Sequence, residues 1–180
     1  IFGGVQVIQI LVQIVRSKAL AILLGPAGMG INSLLSSTLG LVQSLTNFGL
    51  QTSAVKNVAE ANGTGDVTRV AVIITVLRRW VWITGLLGTI LTLILSPWLS
   101  KITFGNREYT LAFIWISVSL LFNQLSSGQL VILQGLRKIR YLANANLTGA
   151  FLGLFVSIPM YYLWGVDGIV PAIIAMSLVN

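Results

Sequence analysis

Apolar positions along the chain gather into five stretches of membrane-spanning length, divided by polar or Gly/Pro punctuation, with a sixth under way at the last residue. Crossing about 30 Å of hydrocarbon takes about 20 helical residues. The pattern predicts helices over about Ile1 to Leu24, Ile31 to Val58, Val67 to Leu95, Tyr109 to Leu133 and Tyr141 to Trp164, and a truncated one over 169–180. The punctuation is the turn Gly25-Pro26-Ala27-Gly28, the polar loop Glu60 to Asp66, a stop at Pro97, the turn Gly105 to Glu108, the basic loop Arg137 to Arg140 and the hairpin Gly165 to Gly168. Short connections make neighbouring helices antiparallel, so the expected fold is an all-α polytopic transmembrane bundle of about six helices. A chain that starts on Ile and ends within an apolar run reads as part of a longer protein.

Composition agrees with a bilayer setting. Of 180 residues, 56% are apolar and 8% charged, against about 25% charged in a soluble domain. With no His and no Cys, a Ser-His-Asp triad, a thiol nucleophile and a Cys/His metal cluster are excluded. Hydrolytic and redox enzymes are thereby disfavoured; the expectation is a protein with no enzyme activity, catalytic residue, metal, cofactor or nucleic-acid partner. Basic residues give an orientation. Lys56, Arg69, Arg137, Lys138 and Arg140 lie at or after the ends of the second and fourth predicted helices, against Lys101 and Arg107 after the others, while Lys18 near the far end of the first counts the other way. The first set is expected in the cytoplasm together with the N-terminus. Gly28, Asn106 and Asp167 are then expected on the opposite side.

Polar residues at membrane depth carry the candidate chemistry. Gln6, Gln9, Gln13 and Arg16 recur at spacings of three and four, which places them within roughly 80° of one helix face. Ser33, Ser36, Ser37, Gly40, Ser44, Asn47 and Gln51 make a second stripe, within roughly 100° of arc. Small and amide residues also serve as interhelical glue, and that reading stands beside the functional one for the Ser and Gly positions. Arg16 differs, since a guanidinium well inside a span costs about 2.5 to 3.5 kcal/mol on insertion scales and marks a cavity or pathway. Lys18 lies roughly 160° around the helix from Arg16 and either reaches the lumen or snorkels to the interface. Asn123, Gln124, Asn144 and Asn146 are second-rank candidates that cap, glue or line. Arg78 and Arg79, beside Trp80 and Trp82, read as interfacial anchors more than as ligands.

The four carboxylates Glu60, Asp66, Glu108 and Asp167 all fall in loops or at helix ends. A cation channel or drug-cation exporter uses buried acids. Here the buried charge is positive, and amides ending in an Arg suit a hydroxyl-rich substrate that carries phosphate.

The run Lys18-Ala19-Leu20-Ala21-Ile22-Leu23-Leu24-Gly25-Pro26-Ala27-Gly28-Met29-Gly30 resembles the N-terminal half of a Wzx-type polysaccharide flippase, of the MATE-like MOP transporter superfamily. Asn47-Phe48-Gly49-Leu50, Val55 to Glu60, Phe104-Gly105-Asn106, Gln134 to Arg137 and the Tyr161 to Gly168 hairpin match in type and order. The resemblance implies a two-lobe fold of about 12 helices with alternating access, of which residues 1–180 are the first lobe. It implies as cargo a polyprenyl-diphosphate-linked oligosaccharide, such as an O-antigen unit, moved from the cytoplasmic to the periplasmic leaflet of the bacterial inner membrane. Other polysaccharide assembly proteins are further expected partners. A cationic lumen of that family fits Arg16. The competing readings are a drug or cation antiporter of the same fold, a membrane-embedded glycan polymerase or acyltransferase, and a purely structural bundle.

Overall fold

The computed structural model describes residues 2–179, with side chains from residue 4; the outermost positions of the first and last predicted helices, 1 and 180, lie outside the described residues. The described chain is all-helical: α1 (Phe2–Asn47), α2 (Leu50–Gly63), α3 (Val67–Phe104), α4 (Thr110–Gly135), α5 (Ile139–Trp164), a 3-10 turn (Gly165–Gly168) and α6 (Ile169–Val179). Four stretches are long and apolar enough to cross a membrane: Gly4–Asn47, Val67–Phe104, Thr110–Gly135 and Ile139–Val179. Large apolar side chains cover their outer faces, among them Leu45 at 74% exposure, Ile94 at 71% and Phe155 at 69%. A surface of that kind is stable against lipid and not against water. The chain is a membrane protein.

The expected four-residue turn between the first two helices shrinks to one residue. Gly25 takes φ 65° and ψ −172° inside α1, a region open essentially to Gly alone. Helix resumes at once, with Pro26 in the first-turn position where its missing N–H is not needed. In a straight helix Gln13 and Ser36 would stand about 34 Å apart. Both instead border one groove, so α1 doubles back into two antiparallel arms. Gly28 is buried against Leu24 at the bend and has no room for a Cβ.

Two other boundaries correct the sequence expectation. The second predicted helix does not run unbroken to Val58: Phe48 (φ 47°) and Gly49 (φ 69°) are left-handed and separate α1 from the amphipathic α2, which then extends to Gly63. The third does not stop at Pro97 but continues to Phe104. Proline removes the N–H that would bond the carbonyl four residues back, here that of Leu93. Ser96 Oγ donates to that same carbonyl oxygen at 2.9 Å, and such side-chain repair lets membrane helices carry proline. Asp66 starts α3 by accepting from the N–H groups of Thr68 (2.9 Å) and Arg69 (3.1 Å), a full N-cap. Gly105 (φ 77°) ends it with its N–H on Lys101 O at 2.9 Å.

α4 is central, touching α2, α3, α5 and α6, and its contact with α3 is the most extensive in the fold. Small residues allow that approach: Gly85 of α3 lies against Leu121 and Gln124, and Gly128 of α4 against Val81. Lipid is as apolar as a Leu side chain, so packing of this kind, not hydrophobic exclusion, holds the helices together. The core forms two clusters. Leu20, Leu35, Leu39, Phe113, Ile116, Leu120, Tyr161 and Ile169 meet at the end that carries the Gly25 bend, the α3–α4 turn and the 3-10 turn. Ala54, Val58, Leu77, Val81, Val131 and Ile132 meet at the other end, which carries the α2–α3 and α4–α5 turns and the basic loop.

Candidate functional site

The two polar stripes meet where α1 folds on itself. Gln13, Arg16 and Ser17 from the first arm and Asn32, Ser33 and Ser36 from the second line one groove of about 290 Å³, floored by Leu20 and Met29. Gly25 is what makes this possible, because residues equidistant from the bend come face to face. Ser33 and Ser36 are exposed and Arg16 is half-buried, so the groove opens outward from the bundle.

Arg16 is held in place without being neutralised. Its Nη2 donates to the phenolic oxygen of Tyr161 at 3.4 Å, and Tyr161, near the end of α5, is only 1% exposed. Among the described residues the one ion pair joins Arg69 and Glu60, 3.9 Å apart and both exposed. The guanidinium therefore keeps donors available on a fork suited to phosphate oxygens. Beside it, Asn32 Oδ1 is buried without a hydrogen-bond partner, an arrangement that costs about 1–3 kcal/mol until a donor arrives. A positive fork, an unsatisfied acceptor and a row of hydroxyls can together bind an anion attached to a hydroxyl-bearing group. Asn32 was not among the sequence candidates. Its spacing of four from Ser36 was the available signal, and its depth could be seen only in the fold.

The remaining candidates divide. Gln6 is exposed and Gln9 half-buried, on the first arm's polar face but nearer the N-terminus than the groove. Lys18 is not brought to the groove. It is exposed on the opposite face, in line with exposed Val7, Leu11, Ile14 and Ile22, where a long stem can snorkel through lipid to the interface. Asn47 does not line the groove but is hydrogen-bonded between helices: its Oδ1 accepts from Gln124 Nε2 at 3.1 Å, and the same nitrogen reaches Thr84 Oγ1 at 2.9 Å. Gln124 is buried and ties α4 to both α1 and α3. Gln51 is half-buried in α2 beyond the Gly49 break, Asn123 is half-buried on α4, and Asn144 is exposed on α5; none of the three lines the groove. The hydroxyls of Ser96, Ser117, Ser119, Ser157 and Ser177 bond carbonyls three residues back in their own helices, so they are packing residues with satisfied polarity. Among the described residues no group of three or more acidic residues is placed to hold a metal ion.

Among known proteins, the family model described as polysaccharide biosynthesis protein matches residues 1–179 of the chain. No curated protein and no solved structure matches it.

Proposed function

Starting from a chain that belongs to the polysaccharide biosynthesis protein family, we propose that it is the first lobe of a flippase that carries a polyprenyl-diphosphate-linked oligosaccharide, such as an O-antigen unit, from the cytoplasmic to the periplasmic leaflet of the bacterial inner membrane. The observation that carries the reading is the groove between the arms of α1, where Arg16 lies free of any carboxylate beside Asn32, Ser33 and Ser36. Arg16 takes the diphosphate, replacing water with charged hydrogen bonds. The amide and hydroxyl side chains replace water around the sugars. The polyprenyl tail stays in lipid against the apolar outer face, so no bond is broken and no cofactor enters. A second lobe facing the groove closes it alternately toward each side of the membrane.

Positions of the acids favour this over a cation antiporter. Glu60 lies in the last turn of α2, Asp66 caps α3, Glu108 precedes α4 and Asp167 is in the 3-10 turn, so among the described residues no acid stands at mid-membrane depth.

Export of the glycan in a flippase-deficient strain, scored with membrane abundance of each variant, tests the proposal. Arg16→Ala is expected to abolish export at normal abundance, Arg16→Lys to retain part of it, and Lys18→Ala to stay near wild type. Full export by Arg16→Ala at normal abundance would overturn the ligand role. Loss of export only in step with loss of protein would assign Arg16 to packing.

A further inference from the structure

A second basic groove lies far from the first. Between α3 and α4, Arg78, Trp82, Leu125, Gly128 and Gln129 border a hollow of about 340 Å³. None of them lines the groove between the arms of α1. Gly128 sits against Val81, at a separation where an added Cβ would stand 2.7 Å from Val81 Cγ2. Val81 and Gly128 both line the hollow, so their close approach bounds it on the protein side.

The surroundings identify what the hollow faces. On the α3 wheel, Arg78 falls about 60° from buried Val81 and about 80° from exposed Leu86, at the margin between protein and lipid. Val72, Val76, Ile83, Leu86 and Ile90 are all exposed on the adjoining arc. Trp80 and Trp82 are half exposed beside it, and Trp rings concentrate at the level of lipid headgroups. Gly128 lies seven residues before the end of α4, or about 10 Å. That is the end of the bundle with the basic α4–α5 turn. Arg78 has no carboxylate partner among the described residues, and the Gln129 amide adds a donor to the same hollow.

We infer that this hollow holds the headgroup of an anionic phospholipid of the surrounding leaflet, with Arg78 and Gln129 on its phosphate oxygens and its acyl chains continuing along the exposed face of α3. Basic hollows between membrane helices on the positively charged side bind such headgroups. Arg79 is the internal control. It is adjacent in sequence and equally basic, but it falls in the middle of the exposed arc and does not line the hollow. The inference does not depend on the cargo proposed above.

The test uses the full chain in non-ionic detergent, stripped of lipid and titrated with phosphatidylglycerol, phosphatidylcholine or inorganic phosphate, with bound lipid counted by native mass spectrometry. Phosphatidylglycerol is expected to be retained over phosphatidylcholine. Arg78→Gln is expected to lower its occupancy about fivefold, the effect of one basic residue at an anionic surface, and Gln129→Leu to lower it about twofold, the smaller effect of one neutral donor. Arg79→Gln is expected to leave it unchanged. Unchanged occupancy in Arg78→Gln would overturn the inference, as would an equal fall in Arg79→Gln, which would mean diffuse attraction. Displacement of the lipid by millimolar inorganic phosphate would overturn it by assigning the hollow to free phosphate. Gln129→Leu does not alter charge, so its decrease separates a built site from a general electrostatic effect.

Discussion

Replacing Gln124 by Met keeps the length of the side chain and deletes both of its interhelical hydrogen bonds. Gln124 is 4% exposed and lies on α4 between the two apolar clusters, with Leu120 in one and Val131 in the other. Thr84 Oγ1 loses a donor but keeps its own bond to Trp80 O at 2.9 Å, so it stays satisfied. Asn47 Oδ1 loses its Gln124 partner. Interhelical hydrogen bonds in membrane proteins average about 0.6 kcal/mol and reach about 1.7. The expected destabilisation is therefore about 1–3 kcal/mol, most of it on the Asn47 side. Reversible unfolding in mixed micelles, followed by Trp fluorescence, measures it. A double-mutant cycle with Asn47→Leu should return a coupling near 1 kcal/mol within that range. Wild-type stability in Gln124→Met, or strict additivity in the cycle, would refute the assignment of Asn47 and Gln124 to packing.

Gly25→Ala should destabilise by about 1–3 kcal/mol because its backbone conformation is closed to residues with a Cβ, and loss of the hairpin should appear as greater protease sensitivity within α1; an unaffected protein would contradict the one-residue bend. Gly128→Ala should cost about 1–3 kcal/mol from overpacking against Val81, and Val81→Ala in the same chain should recover part of that, since the clash is with the two Cγ atoms; failure of rescue in micelle unfolding would point to another contact. Single cysteines at Ala27, Asn106 and Asp167, all exposed, should react with an impermeant reagent in intact cells, whereas those at Thr64 and Lys138 should not; the reverse pattern would invert the topology.

The class of fold was legible because spanning a bilayer demands long apolar runs, and because strong breakers sat where the chain turns: Gly25, Gly105 and Gly165 all adopt positive φ. The break after Asn47 was harder to see, since apolar residues continue on both sides of it. Its signal was Asn47-Phe48-Gly49, an ending of the kind that closes helices with a left-handed residue. Pro97 misled in the opposite direction because its effect depended on whether the Leu93 carbonyl found another donor, and the adjacent Ser96 supplied it. Of the site, the helical wheel resolved which residues share a face, hence Gln13 with Arg16 and Ser33 with Ser36. It could not tell which faces oppose each other. That depended on the bend at Gly25, which joined the two stripes, took Asn47 into the packing with Gln124 and left Lys18 toward lipid.

Purified protein together with the second lobe proposed above, reconstituted in liposomes that contain a fluorescent polyprenyl-diphosphate-linked oligosaccharide, gives the most direct test of translocation through the Arg16 groove. The rate at which label crosses between leaflets is read with and without Arg16→Ala. A charged hydrogen bond contributes about 1.5–3 kcal/mol, so the variant should cross about 10- to 150-fold more slowly, with Arg16→Lys between the two. Equal rates for wild type and Arg16→Ala, in protein reconstituted to the same density, would contradict the account.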